Sequence, residues 1–244
     1  MSAKSSALLP PIEAYDRLAS RYAEIRSERQ RYCDGIDRLI SESIPPSTKS
    51  MLDVGSGDGA RAASIAQGRV EQLVLLEPSP GMRKLIRSGQ ETWTAPIEML
   101  EDRHREFDII TCLWNVLGHV QGRARQLRAL RNMRSLLTPH GSIFLDVQNR
   151  YNAHRYGWTK TLARYVRDRF LPSAEVGDVV VRWPTSAGDI RTYGHVFTPR
   201  EIRSLVQEAG LQQKQIRFID YETGEERNSQ FAGSIFLELA AQGQ

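Results

Sequence analysis

Between residues 50 and 147, short apolar runs alternate with longer amphipathic stretches, and this alternation constrains the fold more than any other feature of the chain. The apolar runs have the length of buried strands, and the amphipathic stretches have the spacing of helices that cover a sheet. The predicted strands are 51–54, 72–76, 93–97, 107–113 and 142–147, and the predicted helices are 58–67, 80–89 and 122–137. This order indicates an α/β fold with a doubly wound, mostly parallel sheet.

The rest of the chain extends this unit at both ends. Apolar residues at helical spacing predict two N-terminal helices within residues 1–46. Residues 148–195 break the alternation, and we interpret them as an inserted cap. After the inserted cap, Thr198 is predicted to be the N-cap of a helix that opens with a capping box. Two final strands, near 214–221 and 232–240, are predicted to pair antiparallel at one edge of the sheet.

The composition is that of one globular domain: 244 residues, 40% of them hydrophobic and 25% charged. No apolar run approaches the roughly 18 residues that a membrane-spanning helix needs, and the first residues lack the apolar core of a signal peptide. Cys33 and Cys112 lie in segments without metal-ligand spacing. We therefore expect a single cytoplasmic domain over residues 1–244, with no membrane partner and no metal.

A glycine-rich turn follows the first predicted strand, with Gly55, Gly57 and Gly59 directly after Asp53-Val54. Glycines allow a sharp bend and a close approach of the backbone to a ligand, and the helix that follows offers unpaired N–H groups. Such a turn also occurs in dinucleotide-binding folds and in purely structural turns. Glu77, at the end of the second predicted strand, stands where an acidic side chain binds ribose hydroxyls in doubly wound folds.

With these residues the chain resembles the class I S-adenosylmethionine-dependent methyltransferases, particularly small methyltransferase-domain proteins that act on small molecules. Asp53 and the three glycines match the first motif of that family, and the segment from Glu77 to Met82 resembles the second. Further resemblance lies in residues 107–113 and 136–142, and the whole covers about 12–147 and 196–240. The resemblance implies a Rossmann-like fold, S-adenosylmethionine as methyl donor and S-adenosylhomocysteine as product.

The resemblance also implies a set of cofactor-binding residues. They are Tyr15, Tyr22, Asp53, Gly55, Ser56, Gly57, Glu77, Pro78, Ser79, Met82, Ile97, Glu98, Leu113, Trp114 and Asn115. Tyr15 and Tyr22 lie in a segment similar to the N-terminal helix that covers the cofactor in small-molecule methyltransferases, but their spacing equally fits two core positions on one helical face. Pro96 has no side-chain acceptor for the adenine amino group, so the N–H of Ile97 is the expected contact there.

His119 is the candidate catalytic residue, because it follows the fourth predicted strand and a histidine is an effective general base near neutral pH. A packing role is the alternative. In the related ubiquinone-pathway O-methyltransferases this stretch carries acidic metal ligands, whereas Asn115 and Gly118 stand here. The resemblance therefore implies a mechanism without a metal.

The inserted cap is rich in arginine and aromatic residues, which suits either a lid over a small molecule or a surface that pairs with phosphates and stacks on bases. The candidate substrate-binding residues are Asn149, Tyr151, Asn152, Arg155, Trp158 and His195. The net charge of +4 is only mildly basic, and the chain shows no appended RNA-binding module.

Three functions remain open on these observations. The first is a methyltransferase that modifies an oxygen or nitrogen of a small molecule, such as a secondary metabolite or a sugar. The second is a tRNA or rRNA methyltransferase that uses the basic inserted cap. The third is a binding or scaffold protein with the same fold, which the glycine turn and Glu77 disfavour. Either a monomer or a homodimer fits the sequence.

Overall fold

The computed structural model describes residues 7–100, 105–171, 176–185 and 188–243. Its strands are β1 (Leu8–Leu9), β2 (Ser50–Val54), β3 (Gln72–Leu76), β4 (Thr92–Trp93), β5 (Phe107–Cys112), β6 (Leu137–Val147), β7 (Asp178–Trp183), β8 (Ile190–His195), β9 (Leu211–Ile219), β10 (Glu226–Arg227) and β11 (Ser234–Ala241). Its α-helices are α1 (Pro11–Leu18), α2 (Tyr22–Ser27), α3 (Gln30–Ser43), α4 (Ala60–Ala66), α5 (Pro80–Arg83), α6 (Val116–His119), α7 (Arg123–Ser135), α8 (Ala153–Tyr156), α9 (Trp158–Phe170) and α10 (Pro199–Glu208).

The main sheet has eight strands in the order β10-β9-β11-β6-β5-β2-β3-β4. The strands from β4 to β6 pair in parallel, whereas β11 runs antiparallel to both β6 and β9. The predicted fold class is confirmed, including the antiparallel pair at the edge. The chain moves outward from β2 to β4 and then returns to the other side of β2 as β5, so the carboxyl ends of β2 and β5 form the switch point where such sheets bind ligands.

Both faces of the sheet are buried, which explains why the parallel strands are almost continuously apolar. Successive side chains alternate between the faces. Leu52 and Ile110 belong to one hydrophobic core, which also contains residues of α7 and α10. Met51 and Ile109, the neighbours of these residues in sequence, belong to a second core with residues of α3 and α4.

Three local elements differ from the prediction. The N-terminal region contains three α-helices, because a 3₁₀ turn and a short break interrupt it. The predicted strand 93–97 ends after Trp93, since Pro96 cannot donate to a strand pair and leads into a 3₁₀ turn at Ile97–Met99. The predicted helix 80–89 ends at Arg83, and shorter turns carry the chain to Gly89, which has a positive φ of 84°.

A second sheet joins the chain's N-terminal segment to the inserted cap, in the order β1-β8-β7. β1 pairs in parallel with β8, and α1 therefore lies beside the inserted cap. The two ends of the inserted cap meet where the Arg150 N–H donates to the Phe197 carbonyl at 2.9 Å. Thr198 then opens α10 with the predicted capping box, which is confirmed. Within the described residues, no helix is both long and apolar enough to cross a membrane.

Candidate functional site

A cavity of about 130 Å³ lies at the carboxyl ends of β2, β3 and β5, beneath α1. Most of the predicted cofactor-binding residues share its wall. They are Tyr15, Tyr22, Gly55, Gly57, Glu77, Pro78, Ser79, Ile97, Glu98, Leu113 and Trp114. His119, the predicted base, lines the same cavity. The sheet thus brings together residues that are more than one hundred positions apart in sequence.

The glycine turn forms one wall of the cavity, and its conformation requires glycine. Gly55 and Gly57 have positive φ angles of 73° and 57°. A Cβ on Gly57 would lie 2.5 Å from the Tyr22 Oη, and a Cβ on Gly55 would lie 2.6 Å from a methyl carbon of Val116. A side chain at either position would therefore meet both an unfavourable backbone region and an occupied volume.

Glu77 is held rigidly at the end of β3. One carboxylate oxygen accepts from the Gly57 N–H at 2.7 Å, and the other accepts from the Ser79 N–H at 2.8 Å. Burial raises the pKa of Glu77 to about 7, although both N–H donors act in the opposite direction. A carboxylate has roughly four acceptor sites, so the ionised side chain keeps free lone pairs toward the cavity.

Four other predicted cofactor residues lie off this cavity. Asp53 and Ser56 line a smaller adjoining cavity of about 30 Å³. There, Asp53 accepts from the Thr111 hydroxyl at 2.6 Å, and burial raises its pKa. Met82 is fully buried, and its N–H donates to the Ser79 hydroxyl at 3.2 Å, so it belongs to the capped start of α5.

Asn115 is the fourth of these residues and has a structural environment. Trp114 and Asn115 both adopt left-handed backbone conformations, with φ angles of 59° and 61°. The Asn115 amide donates to the His195 carbonyl at 3.2 Å and accepts from the Gln148 N–H at 2.9 Å. These contacts fix the loop after β5 and with it Trp114, which packs against Tyr22 with ring centroids 5.9 Å apart. Strained backbone of this kind is common beside functional sites.

Tyr15 and His119 form a hydrogen-bonded pair on the cavity wall. The Tyr15 hydroxyl lies 3.0 Å from His119 Nε2, and His119 Nδ1 lies 2.8 Å from the Tyr193 carbonyl oxygen. A carbonyl can only accept, so Nδ1 is assigned the proton and Nε2 accepts from Tyr15. Burial lowers the pKa of His119 and raises that of Tyr15, which favours the neutral form of both side chains.

The six candidate substrate-binding residues do not line this cavity. The Asn149 amide donates to the Gln230 carbonyl at 2.9 Å, and the Asn152 side chain caps α8. His195 lies between two carboxylates, 2.6 Å from Asp178 and 2.9 Å from Glu201. The polar groups of these three side chains are thus engaged in structural contacts.

The remaining three candidates lie in the first part of the inserted cap, and Tyr151 among them is buried. Tyr151 packs against Tyr165, with ring centroids 5.4 Å apart, and lines a separate open groove. Arg155 donates to the Gln148 side chain at 2.7 Å, and Trp158 is 63% exposed. Within the described residues the six candidates do not share one cavity, and their role in binding the acceptor stays a prediction.

The residues that cover the cavity were only partly anticipated. Pro11 and Ile12 of α1 line it beside Tyr15. Asp16, which turns away from the cavity, accepts from the Gly81 N–H at 2.5 Å and so ties α1 to α5. The position of Asp16 beside Tyr15 was the only sequence signal for this contact. Its partner, Gly81, lies 65 positions away in sequence and could not be identified from it.

Comparisons with known proteins show the family of the chain. The family model for a methyltransferase domain matches residues 22–216, so the chain belongs to that family. A ubiquinone biosynthesis O-methyltransferase of Bordetella avium is 28% identical over 222 residues, which cover 86% of this chain and 83% of the relative. The predicted family is confirmed, and the protein is an S-adenosylmethionine-dependent methyltransferase.

Solved structures share the fold at low sequence identity. An S-adenosylmethionine-dependent methyltransferase from Clostridium acetobutylicum has a TM-score of 0.65 at 12% identity, with 94% of this chain and 99% of that chain covered. The sugar N-methyltransferase KedS8 from Streptoalloteichus has a TM-score of 0.59 at 16% identity, with 99% and 97% covered. Both alignments span nearly the whole length of this chain.

Proposed function

We propose that this methyltransferase transfers the methyl group to an oxygen or nitrogen nucleophile of a small molecule. The observation that carries the proposal is the Tyr15–His119 pair, which faces the same covered cavity as Glu77 and the glycine turn. The cavity thus combines a place for the cofactor with a group that can accept a proton.

The cofactor half of the proposal rests on the fit between the cavity and an adenosyl group. Glu77 offers free lone pairs for ribose hydroxyls, and Gly55 and Gly57 present backbone without a side chain to the cavity wall. Ile97 is the first residue of a 3₁₀ turn, where a backbone N–H has no acceptor within the turn and is free for the adenine edge. S-adenosylmethionine, when bound, supplies an electrophilic methyl group on its sulfonium.

The acceptor half rests on the state of His119. Its pKa is lowered by burial, so the ring is neutral near pH 7 and can take the proton that an attacking hydroxyl or amine must lose. The Tyr193 carbonyl holds the ring in the tautomer in which the lone pair of Nε2 carries no proton and can accept one. Tyr15 occupies that lone pair at 3.0 Å, so it either relays the proton or yields its place to the acceptor.

A small acceptor is favoured because the cavity is narrow and covered. α1 closes it from above, held by the Asp16–Gly81 contact and by a hydrogen bond from Arg21 to the Pro184 carbonyl at 3.0 Å. A folded nucleic acid would need a base flipped into this space. The names of two related proteins, an O-methyltransferase of ubiquinone biosynthesis and a sugar N-methyltransferase, are consistent with either nucleophile.

Steady-state kinetics with a panel of phenols, amines and amino sugars tests the proposal, with S-adenosylhomocysteine formation as the readout. With an accepted substrate, His119→Gln should lower kcat by about a hundredfold or more and leave the KM for S-adenosylmethionine within about twofold. Tyr15→Phe should alter the pH profile of kcat. His140→Gln is the matched control, since His140 is exposed and remote from the cavity.

Two results would contradict the proposal. An unchanged kcat in His119→Gln would show that His119 is not the general base. Methyl transfer to mixed RNA, with none to any small molecule in the panel, would favour the nucleic-acid function instead.

A further inference from the structure

Helix α9 leaves most of its side chains exposed. Only Thr161 among its thirteen residues is buried. Trp158, Leu162, Val166 and Phe170 are spaced four residues apart and so form one row along the helix, with exposures of 63%, 60%, 47% and 76%. Leu171, the residue directly after α9, is also 70% exposed. We name these five residues the apolar row.

The opposite side of α9 is firmly attached, so the apolar row has a defined direction. Arg150 and Asp168 form a buried ion pair at 2.6 Å beneath the helix. Tyr165 packs against Tyr151 and Phe231, each with ring centroids 5.4 Å apart. Among the ring contacts of the described residues, only Trp158 of the apolar row shares in this attachment, with its ring centroid 6.1 Å from that of Phe231, and the other four side chains stay exposed. An ordered apolar strip of this size on a surface usually marks an interaction site.

The charges around the apolar row are nearly all positive. α9 carries Lys160, Arg164, Arg167 and Arg169, and its one acid, Asp168, is neutralised by Arg150. Among the described residues, neither Lys160 nor Arg169 has a hydrogen-bond or ion-pair partner. Arg155 adds a further cation on α8.

We propose that α9 docks this enzyme onto an anionic lipid surface, with the apolar row inserted at the level of the headgroups and the flanking cations paired with lipid phosphates. An apolar face with tryptophan, leucine and phenylalanine, next to a lysine- and arginine-rich face, is the pattern of helices that lie in the plane of a membrane interface. Such a helix lies on the bilayer and does not cross it.

Two other binding partners for this surface, a second copy of the chain and a nucleic acid, fit it less well. A second copy of the chain, packed antiparallel along α9 by a twofold axis perpendicular to the helix, would bring Lys160 of one copy near Arg167 of the other and oppose like charges. A nucleic acid would satisfy the cations, but Leu162 and Val166 have no ring on which a base could stack. A lipid surface satisfies both the charges and the aliphatic side chains.

Vesicle co-sedimentation tests the proposal with the full chain. The protein should sediment with vesicles of phosphatidylcholine and phosphatidylglycerol mixed about 3:1, and at least about tenfold less with phosphatidylcholine alone. The double variant Leu162→Gln/Phe170→Gln should reduce binding to the mixed vesicles by at least about tenfold, and Lys160→Gln/Arg169→Gln by a similar factor. Leu85→Gln is the matched control, because Leu85 is 46% exposed elsewhere on the protein.

Calorimetry with S-adenosylhomocysteine checks that each variant is folded, since none of these residues lines the cofactor cavity. Absence of binding to the mixed vesicles would overturn the proposal, and so would equal binding by the Leu162→Gln/Phe170→Gln variant. A dimer in light scattering that this variant abolishes, without vesicle binding, would assign the apolar row to a second copy. Binding to mixed RNA in place of vesicles would assign it to nucleic acid.

Discussion

Replacing Gly57 with alanine should cost more stability than a positive φ angle alone can explain. Gly57 has a φ of 57°, and a Cβ there would lie 2.5 Å from the Oη and 2.7 Å from the Cζ of Tyr22. The left-handed conformation costs an alanine about 1–2 kcal/mol. Forcing a methyl group against a packed ring adds about 1–3 kcal/mol. Gly57→Ala should therefore lower the free energy of unfolding by about 2–5 kcal/mol.

Two comparisons separate the backbone term from the contact with Tyr22. Gly68 has a similar φ of 69° but open space around its Cβ position, so Gly68→Ala measures the backbone term alone, about 1–2 kcal/mol. In a Tyr22→Leu background, the ring atoms that would clash are absent. There, Gly57→Ala should also cost only about 1–2 kcal/mol, which corresponds to a coupling free energy of about 1–3 kcal/mol.

The assay is equilibrium urea unfolding, followed by circular dichroism and tryptophan fluorescence, with m-values compared to confirm a common denatured state. Equal costs for Gly57→Ala and Gly68→Ala would refute the reasoning. So would a cost for Gly57→Ala that does not change when Tyr22 is leucine. In either case Tyr22 would not lie against the glycine turn.

Three further perturbations test the groups around the site. Burial raises the pKa of Glu77 to about 7. If ribose hydroxyls need the ionised form, calorimetry should show that the affinity for S-adenosylhomocysteine rises about tenfold between about pH 6 and about pH 8. An affinity that does not change with pH would contradict this. Burial lowers the pKa of His195, but its bonds to Glu201 and Asp178 outweigh burial and raise it. Protonated His195 thus stabilises the fold below the ordinary pKa of histidine, and this stabilisation is lost as pH rises through the pKa of the folded state. In urea unfolding, His195→Gln should flatten the resulting decline in the free energy of unfolding with pH. Asn115→Ala should cost about 2–4 kcal/mol of unfolding free energy, and a cost under about 1 kcal/mol would show that its two hydrogen bonds are dispensable.

The sheet and the cofactor side of the site could be predicted because their signals are local in sequence. Each strand is a short apolar run, and Gly57 and Glu77 stand directly where a strand ends. Once the strands are parallel, their carboxyl ends must meet at one edge, which brings these residues together. The capping box at Thr198 was predictable for the same reason, since all its atoms lie within one helical turn.

The contacts of the candidate substrate-binding residues could not be predicted from residue types, because the partners of these residues are distant in the chain. Asn149 and His195 have the chemistry of ligand-binding residues. In the structure, however, the Asn149 amide donates to the Gln230 carbonyl, and His195 is hydrogen-bonded to Asp178. The sequence also did not predict which way the apolar face of α9 points. Its amphipathic pattern fits a lid over the cavity, and periodicity alone does not say whether an apolar face points inward or outward.

Calorimetric titration with S-adenosylhomocysteine tests the central claim most directly, namely that the cavity at the ends of β2 and β3 holds the methyl donor. The account predicts one site per chain in the unmodified protein. Glu77→Ala should weaken binding by about tenfold to a hundredfold, because hydrogen bonds to a charged acceptor are lost. No binding by the unmodified protein, or unchanged affinity in a folded Glu77→Ala variant, would contradict the assignment.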